Sequence, residues 1–263
     1  QTAKTLSLKP RGIIPVDMFG QPADYDAIQS IAETHNLWVL ADAAQSFGAI
    51  YKGRKVGNIG DIATTSFFPA KPLGCYGDGG AIFTNDDQLA QVIKSLRVHG
   101  QGSDKYDNVR IGINGRLDTL QAAILKEKLK IFPHELKVRQ QTADTYNIAL
   151  QDSVKIPVLL AGATSSWAQY TVRLPQGVDR SKLIEDLKES GIPSMIYYIK
   201  PLHKQNAYRD YPTANQKRLI VSETLAGEVI SLPMNAYITD NILNYITQQF
   251  KHLVLKLKVL ELY

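Results

Sequence analysis

Residues 37–74 read LWVLADAAQSFGAIYKGRKVGNIGDIATTSFFPAKPLG. Two apolar runs stand in this stretch, "LWVLAD" and "DIATTSFF". Each has the length of a buried strand rather than of a core helix. The first ends on a carboxylate, Asp42. The second is followed by an amine, Lys71, which stands just before a Pro-Leu-Gly turn. Upstream, "RGIIPV" reads as another short buried strand, and downstream "GGAIFTN" reads as a fourth. Helical patterns lie between and after them. "FGQPADYDAIQSIAETHN" opens on a Gly-Pro turn and acids, then places Ile28, Ile31 and Ala32 at helical spacing. "DDQLAQVIKSLRVHG" carries acids at its start, bases near its end and a glycine after it, the signature of a capped helix. Buried strands alternating with helices predict an α/β fold with a largely parallel sheet.

Beyond Arg116 the pattern is helical for a long stretch. "RLDTLQAAILKEKLKIF" and "HELKVRQQTADTYNIAL" flank Pro133, which is expected to kink or break the helix. After Asp152 the texture changes. "AQYTVRL" alternates like a half-exposed strand, "SKLIEDLKESGI" reads as a helix stopped by Gly191, and "PSMIYY" reads as a strand. "ITDNILNYITQQFKHLVLKL" reads as a terminal amphipathic helix. The expected organisation is a large domain over residues 1–150 and a smaller C-terminal α+β domain over residues 151–263.

The chain has 263 residues, 44% of them hydrophobic and 21% charged, enough apolar side chain for a core of ordinary globular type. The net charge of +5 favours anionic partners: nucleic acid, anionic lipid or phosphorylated small molecules. Lys and Arg alternate with Asp and Glu, however, and do not cluster with aromatics on one face, which argues against nucleic acid. The single cysteine, Cys75, leaves neither an intrachain disulfide nor a Cys-rich metal site, and a reducing, cytoplasmic setting is expected. No apolar run approaches the roughly 20 residues that span a bilayer. The sequence opens without Met, close to a strand, so it is expected to be part of a longer protein.

Four features carry chemistry. An Asp at the carboxyl end of a parallel strand faces the crevice where α/β folds bind ligands. Asp42 there can take a charge-assisted hydrogen bond from a protonated ring nitrogen, or cap the next helix. A lysine in a partly desolvated site can condense with an aldehyde; a surface lysine does nothing of the kind. Lys71 has both readings open. Ser66, five residues earlier, either bonds a phosphate or ends a strand. "GCYGDGGA", residues 74–81, has four glycines in eight positions and allows close backbone approach.

Together these motifs resemble the DegT/StrS group, pyridoxal-phosphate aminotransferases that act on nucleotide-linked keto-sugars. The resemblance rests on Asp42-Ala43-Ala44-Gln45-Ser46, on Ser66-Phe67-Phe68-Pro69-Ala70-Lys71 and on the glycine turn after it. It continues through "IIPVDMFGQPADYDAI", through "IGINGRLDTLQAAIL" at residues 111–125 and through "IYYIKPLH" at residues 196–203. It covers essentially the whole chain and implies the PLP aminotransferase fold type I. It implies that Lys71 holds the cofactor and shuttles protons, that Asp42 pairs with the pyridinium nitrogen, that Gln45 bonds the phenolic oxygen and that Ser66 bonds the phosphate. Asn114 would reach the phosphate of a neighbouring subunit's cofactor, making the active unit a homodimer. Arg116 would grip an anionic part of the substrate, or pair with Asp118. Tyr197, Tyr198 and His203 lie in the segment that lines the sugar pocket in relatives. Many relatives have His-Tyr-Pro where this chain has Tyr197-Tyr198-Ile199. His203 and His99 also read as structural histidines.

Relatives extend further at the amino end, where they carry a turn for the cofactor phosphate and an aromatic residue that stacks on the ring. A dehydratase branch of the group has histidine in place of the lysine; Lys71 favours transamination. The segment Asn114-Gly115-Arg116-Leu117-Asp118 and "SFFPAKPLGCYGDGGAIFTND" look most like the branch that aminates carbon 3 of a UDP-linked sugar for bacterial surface polysaccharide, with glutamate as donor. Amination at carbon 4 of a 4-keto-6-deoxy nucleotide sugar is the alternative, and for either carbon the carrier stands open between UDP and dTDP. A non-catalytic regulatory protein on the same fold is a third. No metal is expected.

Overall fold

The computed structural model describes residues 1–214 and 217–259. In chain order the elements are α1 (Thr2–Thr5), β1 (Gly12–Ile13), α2 (Tyr25–His35), β2 (Trp38–Asp42), β3 (Ile50–Tyr51), β4 (Arg54–Lys55), β5 (Ile62–Ser66), β6 (Gly80–Phe83), α3 (Asp87–Arg97), α4 (Thr119–Leu150), β7 (Tyr170–Arg173), α5 (Arg180–Glu189), α6 (Ile220–Glu228), β8 (Val229–Leu232) and α7 (Asp240–Val259). They form two compact units. One comprises residues 11–137 with 159–168; the other comprises 1–10, 138–158 and 169–263.

The first unit is built on a four-stranded sheet in the order β1-β2-β5-β6. β1, β2 and β5 run parallel, and β6 turns back antiparallel to β5. Helix α2 starts where Asp24 accepts from Ala27 N, and it ends on Asn36 in the left-handed region. Helix α3 starts where Asp86 accepts from Gln88 N and Leu89 N, with Lys94 and Arg97 in its last turn. These are the ends the acid and base placement predicts. Tyr25, Ala41, Tyr51, Ile59 and Ala63 form one core cluster, and Phe67, Leu73, Cys75, Leu125 and Phe132 form another.

Pro133 does not break the helix: α4 runs from Thr119 to Leu150 with Pro133 inside it. A proline removes one backbone bond, but Phe132 and Glu135 on either side of it are buried, and that packing holds the turn.

In the second unit β7 pairs antiparallel with β8, and α5 packs on α7. The expected half-exposed strand at residues 168–174 is buried through Tyr170, Thr171 and Val172. The Tyr146 ring stacks on Tyr170 with centroids 4.6 Å apart, and Thr171 shares a hydrogen bond with Ser231 at 2.8 Å. "PSMIYY" forms no strand. Among the described residues its one β-bridge to the β7–β8 sheet joins Met195 and Ser231. Pro193 has no N–H to give a ladder. Helix α6 and strand β8 carry no signal in the sequence reading.

Candidate active site

The parallel register sets the site. Asp42, the last residue of β2, stands opposite Thr64 of β5, and Ser66 ends β5 two residues later. Side chains two apart on a strand share a face, so Asp42 and Ser66 stand on one face at the carboxyl edge of neighbouring parallel strands. This is where open α/β sheets bind ligands. Asp42 Oδ1 accepts from Ala44 N at 3.0 Å and so closes the turn that follows; the next element is strand β3, so the helix cap that the sequence also allowed is not formed. Ser66 Oγ accepts from Phe68 N at 3.2 Å, which directs the chain into the Lys71 turn. Lys71 is half-buried, and its N–H closes the turn onto Phe68 O at 2.9 Å.

Gln45 is buried in the turn after Asp42. Its Oε1 accepts from Phe19 N at 2.5 Å, and its own carbonyl accepts from Ser166 Oγ at 2.5 Å. With Oε1 taken by a backbone donor, Nε2 is the donor end of the amide.

The sequence reading missed the residue that anchors this turn. Asp17 is fully buried beside Asp42: Asp17 N donates to Asp42 O at 3.1 Å. Its carboxylate accepts from Ser46 Oγ at 2.6 Å, from Tyr25 OH at 2.8 Å and from Ala23 N at 2.8 Å. Burial pushes the Asp17 carboxyl above the usual carboxylate range, and the hydrogen bonds from Ser46, Ala23 and Tyr25 oppose that shift. Burial, with the Asp17 charge behind it, pushes the Tyr25 phenol far above its ordinary value. The signal was present in "PVDMFG", a lone acid in an apolar run.

Asn114 and Arg116 lie in the same unit, exposed, on a segment stitched to the end of α3. Asn114 bridges Val98, and Gly115 N donates to Arg97 O at 2.8 Å. Among the described residues Arg116 makes no ion pair with Asp118. Tyr197, Tyr198 and His203 belong to the other unit. The Tyr197 and Tyr198 rings meet edge-on, 5.5 Å between centroids. His203 Nε2 lies 3.2 Å from Glu223 Oε1. Arg218 and Lys204 also reach Glu223, whose carboxyl they and His203 draw down to about 2, with Arg218 the largest cause.

The family model for the DegT/DnrJ/EryC1/StrS aminotransferases matches residues 2–251. The chain is a member of that family. Relatives known by name agree. An UDP-2-acetamido-2-deoxy-3-oxo-D-glucuronate aminotransferase of Pseudomonas aeruginosa is 47% identical over 88% of this chain and 62% of its own length. A pleiotropic regulatory protein of Geobacillus stearothermophilus is 41% identical over 95% of this chain and 67% of its own. A crystal structure of a DegT/DnrJ/EryC1/StrS aminotransferase from Brucella abortus superposes with a TM-score of 0.92 at 49% identity, covering 95% of this chain and 66% of that one. The chain thus spans under two thirds of the Pseudomonas relative's length. The fold is that of the fold type I PLP enzymes, an α/β fold.

The family uses pyridoxal phosphate, and the donor set fits it. The carboxyl ends of β2 and β5 and the loops that leave them carry the carboxylate of Asp42, the amide of Gln45, the hydroxyl of Ser66 and the amine of Lys71, donor types that suit the cofactor's ring nitrogen, phenolic oxygen, phosphate and aldehyde. Gly74 allows the loop that carries the amine to close tightly. A Cβ there would lie 2.6 Å from Pro69 O and 2.7 Å from Phe68 O.

Proposed function

We propose that the chain belongs to an aminotransferase that moves an amino group from glutamate to a keto carbon, carbon 3, of a UDP-linked sugar for bacterial surface polysaccharide, including lipopolysaccharide and O-antigen. The observation that carries this reading is that Asp42 and Ser66 stand on one face at the carboxyl ends of neighbouring parallel strands, with Gln45 and Lys71 in the loops that leave those ends, in a member of this family. The Pseudomonas relative, named for a 3-oxo UDP-sugar, supports the choice of carbon and carrier.

The residues have distinct tasks. Bound pyridoxal phosphate supplies an electron sink for the carbon that exchanges its nitrogen. Lys71 holds the cofactor by its amine. Once freed by the amino donor, Lys71 would carry the proton between the substrate carbon and the cofactor. Asp42 keeps the ring nitrogen protonated by a charge-assisted hydrogen bond. Gln45, its amide oriented by Phe19 N, donates to the phenolic oxygen. Ser66 donates to the phosphate. Arg116 takes an anionic group of the substrate. Tyr197, Tyr198 and His203 line the sugar side. The unit of residues 11–137 with 159–168 is the cofactor-binding part.

The active species is a homodimer in which Asn114 reaches the partner's cofactor. Ile111, Ile113 and Leu120 around it are 99%, 68% and 77% exposed, apolar surface that supports a covered interface. We infer a cytoplasmic reaction from the single cysteine, Cys75, which suits a reducing compartment. Among the described residues no helix is long and apolar enough to cross a membrane.

The test is amino transfer itself: the protein, pyridoxal phosphate, glutamate and a UDP-linked 3-keto-sugar, with 2-oxoglutarate and the amino sugar as readouts. Formation of both supports the reading. Amination only of a 4-keto-6-deoxy sugar moves the activity to carbon 4. No transfer to any keto-sugar by a folded, cofactor-loaded protein favours a regulatory role, as the name of the Geobacillus relative would have it.

A further inference from the structure

The turn that carries Lys71 rests on one stripe of helix α4. Gln121, Leu125, Lys128 and Phe132 recur at steps of four, three and four residues, the spacing of one helix face. The apolar half of the stripe, Leu125 and Phe132, is buried in the cluster of Phe67, Leu73 and Cys75 and so seats both arms of the loop. The polar half engages the loop's backbone. Gln121 Oε1 accepts from Tyr76 N at 2.8 Å. Lys128 Nζ donates to the Gly74 carbonyl and lies 5.7 Å from the centre of the Tyr76 ring.

The loop also holds itself. Cys75 N donates to Phe67 O at 2.8 Å, and Phe67 N donates to Gly79 O at 2.8 Å. These bonds fix its base. They hold the Gly74–Cys75 peptide by its N–H and leave its carbonyl, and the Tyr76 N–H, to be held from α4. Lysine is a flexible four-carbon stem, so where its amine can go depends on how firmly its backbone is held. Reactivity toward a bound aldehyde falls steeply when the reacting atoms are misplaced by even an ångström.

We propose that Gln121 and Lys128 are positioning residues for Lys71, fixing the turn from behind so that the amine is presented to the cofactor in one place. The inference rests on the reading that Lys71 carries the cofactor. A charged donor on a carbonyl makes a strong hydrogen bond, so Lys128 should carry more of the effect than Gln121.

The test uses the cofactor-loaded protein and the variants Lys128→Met, Gln121→Leu, Lys128→Arg and Gln121→Glu. Lys128→Met keeps the apolar stem and removes the donor; Gln121→Glu keeps the acceptor. Three quantities are read: the thermal midpoint of the apoprotein, the dissociation constant for pyridoxal phosphate, and the pH midpoint of the visible band of the Lys71-bound cofactor. The expected result for Lys128→Met and Gln121→Leu is an unchanged apoprotein midpoint, affinity weaker by about tenfold and a shifted pH midpoint. Lys128→Arg and Gln121→Glu should restore most of both.

Affinity and band unchanged in the variants, with wild-type Lys71 carrying the cofactor, would overturn this proposal alone. A fall in the apoprotein midpoint that parallels the affinity loss, with no rescue by the conservative variants, would overturn it too. A wild-type protein that binds pyridoxal phosphate without attaching it to Lys71 would overturn both the functional reading and this inference.

Discussion

Tyr25 and Asp17 meet hydroxyl to carboxylate at 2.8 Å, with both side chains withdrawn from solvent. Ser46 and Ala23 N complete the shell of donors around that carboxylate. Ser46 follows Gln45, and Phe19, two residues after Asp17, holds the Gln45 amide. The pair therefore fixes, from the interior, the turn that presents Asp42 and Gln45 at the sheet edge. Asp17→Ala leaves two buried donors, Ser46 Oγ and Tyr25 OH, and the half-buried Ala23 N without their acceptor and is expected to lower stability by about 3 kcal/mol. Asp17→Asn keeps one acceptor oxygen and should lose less. Urea unfolding of the three proteins checks the order. Equal stability of Asp17→Ala and wild type would remove Asp17 from this role.

Gly74 is the second sensitive point. A Cβ there meets two backbone carbonyls, which cannot swing aside as a flexible side chain would. Gly74→Ala is expected to cost about 2 kcal/mol and to lower cofactor attachment at Lys71 by more than the stability loss explains. Titration with pyridoxal phosphate beside a thermal melt separates the two effects. A variant with wild-type affinity would show that the turn tolerates opening.

The carboxyl of Glu223 has a pH signature. Arg218 and His203 hold it near 2 in the folded chain, against an ordinary 4.5. The stabilisation it gives is therefore complete above about pH 4.5 and is lost as pH falls toward 2. Glu223→Gln should flatten the stability profile through that window and lower stability at neutral pH. Denaturant midpoints measured from pH 2 to 7 decide it. Parallel profiles for variant and wild type would contradict the ion-pair account.

The surface around Asn114 predicts assembly. Placing a charge there, Ile113→Asp, is expected to shift the protein toward monomer in sedimentation and to lower transamination with it. Asn114→Ala should weaken cofactor binding and leave the dimer intact. A monomeric Ile113→Asp variant with full activity would exclude a shared site.

Much of this was legible because it is local. Asp24 and Asp86 announce helix starts by chemistry that acts within three residues, and the runs ending at Asp42 and Ser66 are apolar enough to read as buried strands. What escaped depends on distant partners. Pro133 reads as a helix breaker until Phe132 and Glu135 are seen buried beside it. "PSMIYY" has strand residues but, among the described residues, only one bridge to a neighbour. Asp17 shows only as a lone acid in an apolar run, and nothing in the sequence says what it, Gln121 or Lys128 will bond. Their roles exist only because the fold brings Ser46, Tyr76 and Gly74 to them.

The most direct test of the central claim is reduction with borohydride in the presence of pyridoxal phosphate, followed by mass-spectrometric mapping of the modified peptide. The account predicts a single stable adduct, on Lys71 in the peptide that contains Pro72 and Leu73, absent from Lys71→Ala. An adduct on another lysine, or none in a folded protein that binds the cofactor, would contradict it.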